Sequence, residues 1–187
     1  LCAAQTLLLK WGGLSWFDAL CHSFATVATG GFSTRSDSIA AFHSPFVETV
    51  IIAFMFLAGA NFALHFRFLT GAFGAHPRDP EFRYYFIIAL LASAVVTALI
   101  LGRSEFPTSG AAVRAAVFQV VSILTTTGFS TADFDQWPNA ARFILFALML
   151  MGASAGSTSG GIKQIRVAIV LKQLLREIRR TVMPQSV

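Results

Sequence analysis

Long apolar runs alternate with short polar ones along this chain. Two of them, residues 46–66 (FVETVIIAFMFLAGANFALHF) and 84–101 (YYFIIALLASAVVTALIL), approach or reach the ~20 apolar residues that a bilayer core requires. A third begins near Pro138 and reads ARFILFALMLMGASAGSTSGGIKQIRVAIVLKQLL. It is too long for one span, and glycine interrupts it. Two shorter apolar stretches occupy residues 14–26 and 111–125. At 1.5 Å per residue each reaches roughly 20 Å, short of a crossing. They are predicted half-helices that enter and leave on one side. Residues 1–11 read as the last turns of a spanning helix. The pattern predicts an all-α membrane protein.

Both short stretches end in nearly the same polar string. ATVATGGFST runs from Ala25 to Thr34, and ILTTTGFST from Ile123 to Thr131. The two are 97 residues apart (Gly31 against Gly128), and Pro45 and Pro138 stand near the start of each following helix. The chain therefore repeats one unit: spanning helix, half-helix, loop, spanning helix. Irregular backbone at membrane depth is tolerated only where it is buried or lines water. A half-helix also directs the negative end of its dipole at the membrane centre. The returning loop can aim carbonyls at an axis, glycine permits the dihedrals, and threonine adds a hydroxyl oxygen. Such loops in a ring replace the hydration shell of K⁺. One copy alone would read equally well as an ordinary turn; two copies after matched half-helices favour the pore unit.

Composition agrees with a membrane setting. The chain is 55% hydrophobic and 12% charged, with a mean hydropathy of +0.67, whereas soluble domains carry about 25% charged residues. The +5 net charge does not point to nucleic acid, because the basic residues flank apolar spans instead of interleaving with stacking aromatics. Arg67, Arg78 and Arg83, then Lys163, Arg166, Lys172, Arg176, Arg179 and Arg180, hold most of the positive charge. The positive-inside rule assigns those segments to the cytoplasm. Asp37, Glu105, Asp133 and Asp135 fall outside, and Trp11, Trp16 and Trp137 fall at the outer interface. In this topology all four histidines (His22, His43, His65 and His76) lie on or near the membrane faces. Cys2 and Cys21 fit no metal spacing.

The last span is interrupted by Gly152, Ala153, Ser154, Ala155, Gly156, Ser157, Thr158, Ser159, Gly160 and Gly161. Glycine costs a helix roughly 1 kcal/mol per residue relative to alanine, and Ser and Thr offer competing local hydrogen bonds. The helix is expected to open here; close packing of small residues is the other reading. Gly152 to Gly156 matches G-x-S-x-G, but a helix precedes it where a hydrolase needs a strand. Gly156 to Lys163 departs from the phosphate-binding loop at the Ile before Lys. Neither motif makes this chain an enzyme.

TVATGGFST, LTTTGFST and GASAGSTSGGIKQIR, in this order, resemble the second and third pore units of the TrkH/TrkG/KtrB potassium transporter family. The resemblance covers essentially the whole chain and implies helix–pore loop–helix units of potassium-channel type. Residues 1–70 would be the second unit with its first helix truncated, 71–83 a cytoplasmic loop, and 84–187 the third unit with its broken final helix. It implies a K⁺ filter made by the carbonyls of Ala28, Thr29, Gly30 and Gly31 and of Thr125, Thr126, Thr127 and Gly128. Residues 152–161 would be a gate loop beneath that filter. K⁺ would be the transported ion, with no cofactor, in the bacterial cytoplasmic (inner) membrane. The partners implied are the missing pore units, a second copy in a homodimer, and a cytosolic nucleotide-binding ring of TrkA/KtrA type.

Three features stand beside this. Asp37, Asp133 and Asp135 follow the loops and suit a cation-concentrating outer mouth, or simply solvated loops. Asp18 opens the first half-helix, where an acid is favourable on its own account. The basic amphipathic end KQIRVAIVLKQLLREIRR suits anionic lipid. A secondary transporter with broken helices coupling an ion to a small solute is the alternative.

Overall fold

A computed structural model describes residues 1–103 and 106–182. Glu105 of the expected outer group, and the end of the third unit, lie outside the described residues. The chain is helical: α1 (Cys2–Trp11), α2 (Trp16–Val27), α3 (Pro45–Gly59), α4 (Phe62–Leu69), α5 (Ala75–Arg78), α6 (Pro80–Ile100), α7 (Ser109–Leu124), α8 (Asn139–Leu150) and α9 (Gln164–Val182). Short 3₁₀ turns at Ser38–Phe42 and Phe134–Gln136 close the two repeated loops.

The order α1–α2–loop–α3 recurs as α6–α7–loop–α8. Side-chain caps set the helix starts: Ser15 accepts from Asp18 N, Ser44 from Val47 N, Asp79 from Phe82 N and Thr108 from Ala111 N. These oxygens satisfy N–H groups that a helix start leaves open. Pro45 and Pro80 occupy first-turn positions, where a missing N–H costs nothing.

The two units share a core. Leu9, Ile51 and Met55 of the first pack with Phe118, Val121 and Phe129 of the second. A second cluster joins α6, α7 and α8 through Tyr85, Val96, Ile100, Ala116, Val120 and Leu145. The Phe118 and Phe129 rings, both fully buried, sit inside the first unit's core, so the units are interlocked.

Two expectations change. Residues 46–66 are not one straight span. α3 ends at Gly59, Ala60 is extended, and α4 leaves at 100° to α3. Asn61 caps the new helix through Ala63 N, and the interrupted segment of the last span binds the exposed backbone: Ser154 N donates to Gly59 O and Phe62 N to Gly156 O, both 3.1 Å. Among the described residues, α6 is the one unbroken helix long and apolar enough to cross a bilayer; the bent α3–α4 pair passes only when taken together. Trp137, expected at the outer interface, is buried in the second cluster, edge-on to Phe106. Trp11 and Trp16 are exposed as expected.

Candidate functional site

The two half-helices end identically. Ala28, Thr29 and Gly30 N–H donate to Phe24, Thr26 and Ala25 carbonyls at 2.9, 3.1 and 2.8 Å. Their counterparts Thr125, Thr126 and Thr127 donate to Val121, Ile123 and Ser122, each at 2.9 Å. This crossed pair of bonds is a Schellman closure, whose left-handed residue is usually glycine. Here it is threonine both times, Thr29 at φ 51° and Thr126 at φ 56°. A β-branched residue is an outlier there, and left-handed backbone costs roughly 1–2 kcal/mol. Such strain persists only where surrounding structure enforces it. Gly31 (φ 68°) and Gly128 (φ 88°) follow two residues on. Left-handed positions thus alternate in both loops in register.

The two loops touch. A Cβ on Gly31 would stand 2.0 Å from the Thr127 carbonyl oxygen. The Ser130 carbonyl accepts from Ile39 and Ala40 N–H at 3.2 and 3.3 Å, and Ser130 N–H donates to Ser38 Oγ at 3.2 Å. Ala28, Gly30 and Gly128 are exposed along this seam, while Thr29, Thr125 and Thr127 are buried. The threonine hydroxyls are not offered to an ion, contrary to the sequence expectation. Thr125 Oγ1 donates to Val121 O at 2.8 Å and lies 2.8 Å from Thr127 Oγ1. Those of Thr29 and Thr126 turn to the interrupted segment.

Behind each loop stands a polar prop. His22 is fully buried within the protein. Its Nδ1 lies 2.7 Å from Asp18 O and its Nε2 2.9 Å from Ser33 Oγ. A carbonyl only accepts, so Nδ1 carries the proton and the Ser33 hydroxyl donates to Nε2 in the neutral ring. The equivalent residues are Gln119 and Ser130: Gln119 Nε2 donates to Ser130 Oγ at 3.0 Å and to Ala132 O at 2.8 Å. Asp18 does more than favour a helix start. Its carboxylate accepts from Thr34 Oγ1 at 2.6 Å and Ser15 Oγ at 2.8 Å, with Arg35 at 3.4 Å. The second copy has Ala115 there, and Thr131 Oγ1 is buried with no partner among the described residues.

The interrupted segment lies against both half-helix ends. Thr29 Oγ1 donates to Thr158 O at 3.0 Å, Thr158 Oγ1 to Val27 O at 2.9 Å, and Gly160 N to Thr126 Oγ1 at 2.6 Å. It is ordered, not merely unwound: Met151 and Gly152 pair in parallel with Ile162 and Lys163. A Cβ on Gly152 would meet the Gly160 carbonyl oxygen at 2.1 Å, so glycine is what lets the two stems close. Ser157 Oγ donates to Ser154 O at 2.6 Å and lies 2.8 Å from Ser159 Oγ; Ala153 N donates to Ser159 Oγ at 3.1 Å.

The three acids expected at a mouth do not converge as free carboxylates. Asp133 accepts from Asp135 N and Gln136 Nε2 at 3.1 and 2.9 Å. Asp135 lies 4.0 Å from Arg142, and Asp37 is exposed beside the first 3₁₀ turn. A half-buried ion pair lies elsewhere: Arg114 Nε donates to Glu48 Oε2 at 2.5 Å, tying α7 to α3. In the 71–83 loop, His76 Nε2 lies 3.1 Å from His65 Nδ1, and His65 Nε2 lies 2.8 Å from Leu57 O. Burial, and then the neighbouring His65, lower the pKa of His76.

A family profile described as TrkH, cation transport protein, matches residues 7–187. The "Trk system potassium uptake protein TrkH" of Halomonas elongata is 43% identical over 94% of this chain and 36% of its own length. The protein of the same name from Escherichia coli is 39% identical over all of this chain and 39% of its own. The crystal structure of the potassium transporter TrkH from Vibrio parahaemolyticus matches with a TM-score of 0.93 at 37% identity, covering all of this chain and 41% of that one. The chain thus spans less than half the length of these relatives.

Proposed function

Because the chain belongs to the TrkH family of membrane cation transporters, we propose that it supplies the second and third pore units of a potassium uptake protein of the bacterial cytoplasmic membrane. Ala28 to Gly31 and Thr125 to Gly128 form half of a ring of filter carbonyls around K⁺. Residues 152–161 form the gate beneath it. The remaining units of the same polypeptide complete the ring. The basic amphipathic α9 faces anionic lipid, and a homodimer with a cytosolic TrkA/KtrA-type ring is the working assembly.

The observation that carries this reading is the coincidence of three features. The two loops share one hydrogen-bond pattern and one alternation of backbone hand. They meet edge to edge at Gly31 and Thr127. The glycine segment bonds the equivalent threonines of both. Alternating hand turns successive carbonyls toward one side, which is what coordination of a dehydrated cation needs. A segment bonded to both loop bases lies across the path out of such a filter.

The test is K⁺ uptake by the full-length protein in cells lacking other K⁺ uptake, with the K⁺/Na⁺ ratio as readout. Gly128→Ser is expected to abolish uptake or lower the ratio. Wild-type uptake and ratio in that variant would sink the filter assignment. Uptake that requires a co-transported solute would instead favour a coupled secondary transporter.

A further inference from the structure

The segment 152–161 is held from two sides. Its upper bonds go to the loop bases. Its lower bonds go to two charged side chains outside the repeated loops, and neither belongs to a filter. Glu81, in the first turn of α6, accepts the Ala155 N–H through Oε1. Lys163, where the segment re-enters helix, donates to the Ser159 carbonyl and lies 3.0 Å from Ser159 Oγ and 3.4 Å from Ser157 Oγ.

We infer that Glu81 and Lys163 are a charged latch that holds the segment closed beneath the filter; this rests on the gate reading above. An ammonium has three protons to donate, and the oxygens of Ser157 and Ser159 take them. Those oxygens are the ones that brace the segment's own turn, so Lys163 stabilises the folded-in shape and not merely its position. Glu81 fixes the opposite limb through a backbone N–H, which no substitution within the segment can mimic. Charge-assisted bonds of this kind are roughly twice as strong as neutral ones. Both partners sit at helix starts, Glu81 on α6 and Lys163 just before α9. A displacement of the α9 start relative to the α6 start therefore breaks the latch without disturbing Thr29 or Thr126. Lys163 and Glu81 are positioning residues: they touch the segment, not the ion.

The test uses the full-length protein in liposomes, measuring Rb⁺ flux per folded molecule and the Rb⁺/Na⁺ ratio for Lys163→Met, Glu81→Ala and the double variant. Loss of one charge-assisted bond shifts an open–closed equilibrium by roughly tenfold, so each single variant is expected to raise flux by up to about that factor. The ratio should hold, because the filter is untouched. Lys163→Arg, which keeps both donor and charge, should return most of the way to wild type, and Glu81→Gln, which keeps the oxygen acceptor and loses the charge, only part of the way. Deletion of Ala155 to Ser159 serves as the control for the gate itself. Flux raised by the deletion but not by either single variant overturns the latch and leaves the gate standing. Flux unchanged by the deletion overturns the gate reading and the latch with it. Should Lys163→Met fold poorly, Glu81→Ala decides: flux no higher than wild type in that folded variant overturns the latch.

Discussion

Replacing Gly31 with alanine tests the filter geometry most directly. The new methyl carbon would stand 2.0 Å from the Thr127 carbonyl oxygen and 3.0 Å from its carbon. Both are backbone atoms of the neighbouring loop, so no rotamer change relieves the overlap. The residue is also left-handed, at φ 68°, which costs an alanine roughly 1–2 kcal/mol. Relieving the overlap adds about 1–3 kcal/mol, the usual cost of overpacking. The sum is roughly 2–5 kcal/mol, concentrated where two loops must keep register. Gly128 carries strain of the same kind, at φ 88°, but no atom of the described residues lies within 4 Å of a Cβ there. Within this chain Gly128→Ala therefore costs only the strain, and the two glycines are not interchangeable as the repeat alone suggests. In a four-unit ring, Gly128 would face the next loop as Gly31 faces Thr127. The full-length protein separates these cases. Thermal stability in detergent and the Rb⁺/Na⁺ uptake ratio should fall comparably in Gly31→Ala and Gly128→Ala. A selective, stable Gly31→Ala protein would refute the contact. A damaging change at 31 with a tolerated one at 128 would refute the ring.

Three further outcomes are expected. If the two loops are half of a filter ring, as proposed, the 187-residue chain reconstituted alone should not conduct K⁺; selective conductance from it, measured by Rb⁺ flux into liposomes, would show that copies assemble the remainder. His22→Ala should lower K⁺ selectivity by removing the Ser33 prop, with His22→Gln, which copies the second unit, partly restoring it; an unchanged Rb⁺/Na⁺ ratio in both would show the prop to be idle. His76 has a pKa below its usual 6.5, so the unfolded loop binds more protons than the folded one and stability is lost as pH falls below about 6.5; melting curves against pH should show this slope, and His76→Gln should flatten it.

Much of this architecture is written in runs of apolar residues, and those were legible. Both half-helices, the repeated loop, the interruption near Gly152 and the amphipathic α9 lie within a few residues of where the pattern puts them. The bend after Gly59 was not, because the break at that point in FVETVIIAFMFLAGANFALHF, a single polar residue, Asn61, is too slight to end an apolar run. The turn is fixed by bonds from Ser154 and Gly156, about a hundred residues away in sequence. The packing of Trp137 was not legible either: an indole near a loop suits an interface, and the sequence does not show that its ring is buried in the second cluster. The outer acids were read by charge alone, while the fold uses Asp133 as a cap.

The props behind the loops explain why the repeat looks poorer in sequence than it is in structure. What the two units share is a hydrogen bond between one serine hydroxyl and a buried side chain one half-helix back. Histidine supplies it in the first unit and glutamine in the second. The two share no charge and no ring, so comparison by residue type misses the equivalence. Comparison by position and by hydrogen-bonded partner finds it, with the direction reversed: histidine accepts from Ser33 and glutamine donates to Ser130. Asp18 is the instructive exception. Its partners Thr34 and Ser15 have no such anchor in the second copy, where Ala115 stands and Thr131 Oγ1 is left buried and unpartnered among the described residues. The second loop keeps the bonds from Gln119 and Ser122 of its own helix and gains others from Ser38, Ile39 and Ala40 of the first. Both loops are therefore anchored to their own helix, and the second is also tied to its neighbour, so separating the units would strip the second loop of part of its support. That dependence is a property of the pair, which no reading of either copy by itself contains.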